Sequence, residues 1–319
     1  MIKCIAPWFG SKRSLAPRIV EQLGPHDHFH EPFCGSLAVL FAKEKSRQET
    51  VNDLHGDLIN LTRVVQDDDL APQLFERLAC TLFSDGLFDT AKEIMQGSFG
   101  DPLEPPVMIE RAYAYFVVSW MGRNGIAGTN VGHLRGASYS IAVRWTNGGG
   151  SPTVRFRNVV ESIPAWHERL RNVVILHRDA FSYLHKLEDV PGTAIYVDPP
   201  YASESRSGFN SGGGKSHYLH EFKQSEGALL GAQDDHVRLA EILRRYQQAR
   251  IIVSYYDCPR VRELYAGWTF LDCMTNKKLT SANGRGGGTR EAPELLIING
   301  PARAGSAAPT EPAEEEATA

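Results

Sequence analysis

The chain has 319 residues, of which 42% are hydrophobic and 23% charged, a balance typical of a soluble globular protein with a large core. No run reaches the roughly 18 apolar residues of a membrane span, and the amino-terminal residues lack a signal peptide's apolar stretch, so we expect a cytoplasmic protein. Five scattered cysteines indicate neither a disulfide framework nor a zinc site, and a net charge of -4 argues, taken alone, against a nucleic-acid partner.

Short apolar runs alternate with helical periodicities along the chain, which predicts an α/β fold. A short strand is expected around Val51, and the others at His28–Phe33, Val173–His177, Ala194–Val197, Ile251–Ser254, Trp268–Asp272 and Glu294–Asn299. Helices are predicted at Leu15–Leu23, Leu37–Glu44, Asp57–Val65, Glu110–Trp120, Val160–Leu170, Asp235–Gln247 and Pro259–Tyr265.

The segment from Gln66 to about Ser162 has the composition of an insertion, helical at first and then rich in Gly, Ser, Asn and Arg. Residues 112–160 hold five arginines and no acid, and a second acid-free stretch, residues 273–290, carries four cations. Because the last nineteen residues contribute -3 of the net charge, the body of the chain is nearly neutral and its cations are concentrated. Solvated loops would explain both stretches equally well on charge alone.

The segment Asp198-Pro199-Pro200-Tyr201 follows a predicted strand, at the edge where open α/β sheets bind ligands. Its two prolines remove two backbone donors, so the segment presents acceptors. The Asp198 carboxylate and the Pro199 carbonyl suit the two hydrogens of a planar amino group, and the Tyr201 ring offers a stacking face for a flipped base. A turn with a helix N-cap is the alternative for D-P-P alone; the strand and the tyrosine favour the functional interpretation.

A second constellation, residues 30–39, is a strand that ends in a glycine turn and opens a helix. Gly35 permits close approach of a ligand, and Asp53, after the next strand, suits the two hydroxyls of a ribose. Leu37 interrupts a dinucleotide fingerprint, so a nucleoside-bearing ligand without a pyrophosphate fits better than NAD. Asp179 and Phe181 follow another strand, where they could contact an adenine ring.

In this order, the motifs resemble those of the DNA adenine methylase (Dam-type) family of S-adenosylmethionine-dependent methyltransferases. The matching segments are Phe9-Gly10-Ser11-Lys12, residues 31–36, Asn52-Asp53-Leu54 with residues 57–60, Asp179-Ala180-Phe181, the D-P-P-Y segment at 198–201, residues 252–255 and residues 294–299. The resemblance runs from Pro7 to Asn299. It implies a doubly wound, mostly parallel seven-stranded, Rossmann-like methyltransferase sheet with helices on both faces and a terminal antiparallel hairpin.

The resemblance also implies a domain plan. Residues 1–65 and 164–300 would form the catalytic domain that binds S-adenosylmethionine, and residues 66–163 a smaller, mainly helical target-recognition insertion. Residues 301–319 would be a disordered acidic tail.

The resemblance assigns roles residue by residue. The catalytic residues would be Asp198, Pro199, Pro200 and Tyr201, which grip the target base. The cofactor would be held by Trp8, Gly10, Lys12, Pro32, Phe33, Gly35, Ser36, Asp53, Asp179, Phe181 and Asp198. Among these, Trp8 and Lys12 would close over the cofactor, Asp53 would hold its ribose, and Asp179 with Phe181 its adenine.

The implied reaction moves the methyl group of S-adenosylmethionine to the exocyclic amino group of an adenine flipped out of double-stranded DNA. Hydrogen bonds from both N–H groups to Asp198 and the Pro199 carbonyl favour a pyramidal nitrogen whose lone pair points at the sulfonium methyl. No metal and no covalent enzyme intermediate are required. Positioning two reactants can itself lower a barrier by ~7–11 kcal/mol.

The arginine-rich stretch falls where this family keeps its target-recognition domain. Residues 123–130 depart from the F-N-G-L-x-R-x-N pattern of GATC methylases, with Arg for Phe and Gly for Arg, which puts GATC specificity in doubt. Asn124 and Asn130 match the pattern and stay candidates for DNA contact. We predict base contacts by Arg123 and Arg135. Phosphate contacts are predicted for Lys277, Lys278 and Arg290.

Residues 212–216 lack the first glycine of a phosphate-binding loop, and the alternating His26, His28 and His30 lack further ligands for a metal. A catalytically silent DNA-binding protein, or an amino-methyltransferase of RNA or protein, would share some of the motifs. We expect a monomer in the cytoplasm of a bacterial or phage-infected cell, with a cognate restriction endonuclease as a candidate partner if it belongs to a restriction–modification system, phage or mobile element. The sequence leaves open the recognition site, that pairing, and the role of the 202–233 loop.

Overall fold

The computed structural model describes residues 4–8, 10–96, 108–122, 140–143, 145, 150–201, 222, 234–277 and 290–303. Within these residues one sheet contains seven strands in the order β3-β2-β1-β4-β5-β7-β6. The strands are β1 (His28–Glu31), β2 (Gln48–Asn52), β3 (Val173–Leu176), β4 (Thr193–Val197), β5 (Arg250–Tyr256), β6 (Thr269–Lys277) and β7 (Arg290–Ile298). The first five run parallel, and β7 pairs antiparallel with β5 and β6. The predicted mostly parallel sheet with a terminal hairpin is confirmed.

The strand order reverses between β1 and β4. From β1 the chain moves outward through β2 and β3, whereas from β4 it moves to β5 on the other side. The pairs Phe29 with Ala194 and His30 with Ile195 align the two central strands. Loops that leave two such strands diverge and open a crevice beyond their carboxyl ends, which is where open α/β sheets bind ligands.

Helices connect the strands. In chain order they are α1 (Ala16–Leu23), α2 (Ala38–Ala42), α3 (Gly56–Gln66), α4 (Leu70–Ala79), α5 (Asp85–Gln96), α6 (Ile109–Met121), α7 (Pro152–Val160), α8 (Ile163–Leu170), α9 (Ala180–Lys186), α10 (Asp235–Leu243) and α11 (Pro259–Leu264). The predicted helix over Val160–Leu170 was wrong in its start, because a turn at 161–162 separates α7 from α8. Pro164 lies in the first turn of α8, where its fixed φ and missing N–H are tolerated.

Both faces of the sheet are buried. Along β4, Ala194 and Tyr196 pack into one hydrophobic cluster, whereas Ile195 and Val197 pack into another on the opposite face. This alternation is the period of two of a strand, and burial on both sides explains why the parallel strands are continuously apolar.

The insertion is anchored on α3. The Arg111 guanidinium on α6 donates to both oxygens of Asp57, at 2.5 and 3.2 Å, and both residues are buried. Asn60 exchanges two hydrogen bonds with the backbone of Met108, at 2.9 and 2.8 Å. Apolar residues of α4, α5, α6 and α7 lie in the same hydrophobic cluster as those of α3. The predicted domain boundaries at 66 and 163 stay a prediction.

The segment that follows the sheet returns to α1. Arg303 and Gln22 exchange two hydrogen bonds, of 3.0 and 2.8 Å, between the Gln22 amide group and the Arg303 backbone. The rest of the predicted tail, residues 304–319, lies outside the described residues. In the part of the chain that the structure describes, no helix is long and apolar enough to cross a membrane.

Candidate active site

A cavity of about 200 Å³ lies at the switch point between β1 and β4. Every residue predicted to bind the cofactor lines it except Gly10, and Pro200 lines it as well. The lining also includes residues that the motifs did not assign, among them Glu31, His55, Phe222 and Asp235. The structure thus brings the predicted residues to one place, and their individual roles stay predictions.

Asn52, at the end of β2, ties three strand ends together. Its side chain is fully buried. It donates to the carbonyl oxygens of Pro32, at 2.9 Å, and Arg178, at 3.0 Å, and its own oxygen accepts from the Arg178 N–H at 2.9 Å. The loops that follow β1, β2 and β3 are therefore held in a fixed relation.

Asp53, the predicted ribose ligand, is held by two backbone amides. Its Oδ2 accepts from the Gly35 N–H and its Oδ1 from the His55 N–H, each at 2.9 Å. A carboxylate with two oxygens has about four acceptor sites, so these two bonds orient it and leave capacity for hydroxyl groups. The amide of Gly35 and the predicted ribose site are thus coupled through one side chain.

The glycine loop approaches Trp8 closely. Gly35 has a φ of +43°, and a Cβ atom there would lie 2.9 Å from the Trp8 indole nitrogen. Any larger residue would displace the indole, whose edge packs on the His55 ring at 5.4 Å. Leu37, fully buried, has a φ of +61°, which is uncommon for a residue with a side chain. Such strain persists where surrounding structure fixes it, often at ligand sites.

Asp179 is the N-cap of α9, a helix that the sequence pattern missed. Its Oδ2 accepts from the backbone N–H and the hydroxyl of Ser182, each at 2.8 Å. The cap places Phe181 in the first turn, where it lines the cavity under the guanidinium of Arg238 at 4.4 Å from the ring centre.

Phe222 occupies the aromatic side of the cavity. Its ring centre lies 5.8 Å from that of Phe33 and 5.3 Å from that of Phe181, the two rings predicted to line the cofactor site. It also lies 5.0 Å from the ring of His236. No local pattern in the sequence distinguished Phe222 from the other aromatic residues of its segment, and its place became evident from the contacts.

Lys12 is the centre of a buried polar cluster. Its ammonium lies 2.8 Å from the Asp198 Oδ2 and 3.2 Å from the Glu294 Oε1, and it donates to the Gly10 carbonyl at 2.9 Å. Burial alone would lower the pKa of Lys12, but Asp198 and Glu294 outweigh it and raise that pKa well above its ordinary value. Lys12 therefore stays protonated and contacts the D-P-P-Y carboxylate directly.

Tyr201 is enclosed rather than open. Its hydroxyl donates to the Glu294 Oε1 at 2.8 Å, and its ring packs edge-on against Tyr256 at 4.6 Å and beside Tyr255 at 5.6 Å. It is 4% exposed, so the stacking face predicted for it is covered in this conformation. Glu294 begins one of the matching segments, residues 294–299, but was given no role, because its contacts join residues far apart in the chain.

The cavity is rich in acids. Five carboxyl side chains line it, those of Glu31, Asp53, Asp179, Asp198 and Asp235, whereas Lys12 is the one lysine or arginine of the described lining. The Oε2 of Glu31 is buried and has no hydrogen-bond partner among the described residues. Burial, with the nearby Asp198, raises the pKa of Glu31 well above its ordinary value. Burial also raises the pKa of Asp198, against the opposing effect of Lys12.

The structure describes only some of the residues that are predicted to contact DNA. Five of them lie outside the described residues: Arg123, Asn124, Asn130, Arg135 and Lys278, as does Phe9 of the first motif. Lys277 and Arg290 are backbone partners across the β6–β7 hairpin, which places both at the end where residues 278–289 connect the two strands. Their contact with DNA stays a prediction.

The histidines near β1 do not form a metal site in the described part of the chain, where no group of three potential ligands occurs. His30 lies 2.6 Å through its Nδ1 from the Tyr183 hydroxyl, and burial lowers its pKa to about 4, so the ring is neutral. It contributes to packing between β1 and α9.

Comparison with known proteins agrees with this geometry. Residues 8–94 match the family model described as D12 class N6 adenine-specific DNA methyltransferase. The Retron Ec67 DNA adenine methylase of Escherichia coli is 22% identical over 301 residues, which cover 93% of this chain and 91% of that protein. The resemblance to DNA adenine methyltransferases is confirmed. The residues that match the D12-class family model include the Gly35 loop and Asp53.

Among solved structures, the putative methyltransferase yhhF from Escherichia coli aligns over 90% of this chain and 80% of its own. The identity is 11% and the TM-score 0.29, too low to support an argument. The strand order and register of the sheet itself establish the fold.

Proposed function

We propose that this chain transfers the methyl group of S-adenosylmethionine to the exocyclic nitrogen of an adenine flipped out of double-stranded DNA. The match to adenine-specific DNA methyltransferases and the 22% identity to a DNA adenine methylase support the reaction class. The observation that carries the residue-level proposal is the position of Asp198: its carboxylate lines the cavity at the switch point, beside the predicted cofactor residues.

The cavity suits S-adenosylmethionine, which supplies an electrophilic methyl group. That cofactor carries a sulfonium and an ammonium against one carboxylate, so its net charge is positive, and the lining holds five carboxyl groups against Lys12. The buried Oε2 of Glu31, without a partner among the described residues, fits a hydrogen-bond donor of the ligand. Asp53 would hold the ribose, and Asp179, Phe33 and Phe181 the adenine end.

The target base would be held by the D-P-P-Y segment. Its amino group would donate one hydrogen to Asp198 and the other to the Pro199 carbonyl, which favours a pyramidal nitrogen aligned for in-line attack. Pro199 and Pro200 fix the backbone, so these acceptors need little reorganisation. The proton released from the nitrogen would leave through the Asp198 carboxylate, whose pKa is raised by burial.

We extend the proposal to the surface that carries the DNA. Base contacts would come from Arg123 and Arg135, further DNA contacts from Asn124 and Asn130, and phosphate contacts from Lys277, Lys278 and Arg290. The arginine-rich segment follows α6, and the hairpin that carries Lys277 follows β5, whose neighbour β4 leads to Asp198. We further propose a monomer as the acting species.

The proposal is tested with purified protein and methyl-labelled S-adenosylmethionine. Duplex DNA, RNA and a protein extract are offered separately, and the products are hydrolysed and identified by mass spectrometry. We expect N6-methyldeoxyadenosine from duplex DNA, and a loss of roughly a thousandfold or more in Asp198→Ala. The matched control is Asp68→Asn, whose carboxylate is 70% exposed on the surface. No labelled adenine from wild-type protein, or an unchanged rate in Asp198→Ala, would contradict the proposal.

A further inference from the structure

Glu294 is a buried carboxylate next to the D-P-P-Y segment but on a different strand. It lies on β7, where its backbone pairs with Tyr256 of β5 on one side and Cys273 of β6 on the other. Its side chain is 2% exposed. A carboxylate held this rigidly in a sheet interior requires partners, because an unpaired buried charge is costly.

Two groups of the active site meet at one oxygen of Glu294. The Oε1 accepts from the Tyr201 hydroxyl at 2.8 Å and lies 3.2 Å from the Lys12 ammonium. The same ammonium contacts Asp198 at 2.8 Å and the Gly10 carbonyl at 2.9 Å. An ammonium has three hydrogens, so Lys12 divides them among two carboxylates and one carbonyl.

This division bears on how Asp198 can serve the reaction. In the conformation observed, the Asp198 Oδ2 is occupied by Lys12. A base amino group that approaches this same oxygen competes with that contact. If Lys12 had Asp198 as its one anionic partner, its release would leave a buried cation uncompensated, which typically costs several kcal/mol. With Glu294 and the Gly10 carbonyl, Lys12 keeps two of its three partners.

Resting on the proposed function, we propose that Glu294 is a positioning residue: it retains Lys12 and the Tyr201 hydroxyl, so that Asp198 is released to accept the amino group of the target base. Glu294 acts through Lys12 and does not touch the substrate. The alternative is a structural role, in which Glu294 serves to hold the Tyr201 ring against Tyr255 and Tyr256.

The test is Glu294→Gln, which keeps the side-chain volume and an acceptor for Tyr201 but removes the charge that holds Lys12. We expect kcat for DNA methylation to fall roughly ten- to a hundredfold, while the dissociation constant for S-adenosylmethionine, measured by calorimetry, changes by less than about twofold. The matched control is Glu49→Gln, a buried ion-paired carboxylate on β2 that is 4% exposed and is not among the residues that line the cavity, which should leave kcat unchanged.

A structural role is separated by combining Glu294→Gln with Lys12→Met. If Glu294 acts through Lys12, the double variant is no slower than Lys12→Met alone, whereas independent structural damage would slow it further by the full single-variant factor. The double variant also removes both charges together, so the comparison stands even if Glu294→Gln alone folds poorly.

Four results would be decisive. Wild-type kcat in a folded Glu294→Gln, or a further fall in the double variant, would overturn the positioning role. A loss of cofactor affinity equal to the loss of kcat would also overturn it, since the effect would then belong to the predicted contact of Lys12 with the cofactor and not to the release of Asp198. An inactive wild-type protein would overturn the proposed function itself. This outcome is therefore distinct from a failure of the positioning role alone.

Discussion

Two clusters of buried charge lie on the same sheet and differ in how their charges are balanced. On β2, Glu49 is paired with two cations: Lys43 at 2.5 Å and Arg169 at 2.5 and 2.9 Å. At the end of β4, by contrast, the ammonium of Lys12 contacts both Asp198 and Glu294, and it is the one lysine or arginine ion-paired with either carboxylate among the residues that the structure describes. Glu49 and Glu294 are similarly buried, at 4% and 2% exposed, so their difference lies in the ratio of acids to bases.

The two ratios have opposite effects on proton affinity. Burial alone would raise the pKa of Glu49, but hydrogen bonds from Arg169 and Lys43 outweigh it and lower that pKa. In the second cluster, burial raises the pKa of Asp198 against the opposing effect of Lys12. Burial and Asp198 also raise the pKa of the neighbouring Glu31, although Lys43 and Arg169 oppose them. The first cluster is arranged for stability, and the second keeps unmatched acids where a cationic ligand and a base amino group would bind. Perturbed carboxyl groups in a cavity are typical of functional sites.

The largest effect on stability is expected from Glu49→Gln. It would leave the buried Lys43 and Arg169 without their carboxylate, which costs ~3–5 kcal/mol of unfolding free energy. Because the folded-state pKa of Glu49 is lowered, the wild-type residue contributes stability above its unfolded pKa and loses it as the pH falls. Urea unfolding at pH 7 and pH 4 should therefore show a variant penalty that shrinks on acidification. An equal penalty at both pH values would contradict the assignment.

A smaller effect of the opposite sign is expected from Glu31→Gln. Since the folded-state pKa of Glu31 is raised, its stabilising contribution is present below the ordinary value of 4.5 and is lost as the pH rises above it. The variant, which has no proton to lose, should be more stable than wild type at pH 8, by about 1 kcal/mol or more, and should match it near pH 4. Its affinity for S-adenosylmethionine should fall. If Glu31→Gln and the wild type were equally stable at both pH values, Glu31 would not be one of the unmatched acids of the cavity.

The smallest effect is expected from charges that belong to neither cluster. Removing residues 304–319 deletes four acidic side chains but leaves the contacts of Arg303 with Gln22 intact. The rate of methyl transfer and the midpoint of thermal unfolding should both equal those of the full chain. A fall in the rate or in the midpoint would show that residues 304–319 contribute to catalysis or to stability. Truncation before Arg303 is a separate case, since it would remove contacts with α1.

The sequence predicted those parts of the site that are local in the chain. The glycine turn, Asp53 and the D-P-P-Y segment are each a contiguous motif at the end of an apolar strand, so they could be placed at one edge of the sheet before any coordinates were known. The doubly wound, mostly parallel sheet with its terminal antiparallel hairpin followed from the resemblance, whereas the order of the strands was not predicted.

What could not be predicted depends on contacts between distant segments. The Glu294 carboxylate meets Lys12 from the other end of the chain, and Arg111 pairs with Asp57 across a helix interface. Asp179 was predicted as an adenine contact, and its additional use as a helix cap depends on where α9 begins. The break between α7 and α8 was missed because an apolar period continues through the turn at 161–162.

The central claim is that the acid-rich cavity is the site of adenine methylation, whereas the balanced cluster is structural. It is tested most directly by sequencing, with modification-sensitive reads, a plasmid from cells that express the wild-type chain, Asp198→Ala or Glu49→Gln. We predict methylated adenines in one sequence context with the wild-type chain and with folded Glu49→Gln, and none with Asp198→Ala. Methylated adenines that persist in Asp198→Ala, or their absence with the wild-type chain, would contradict the account.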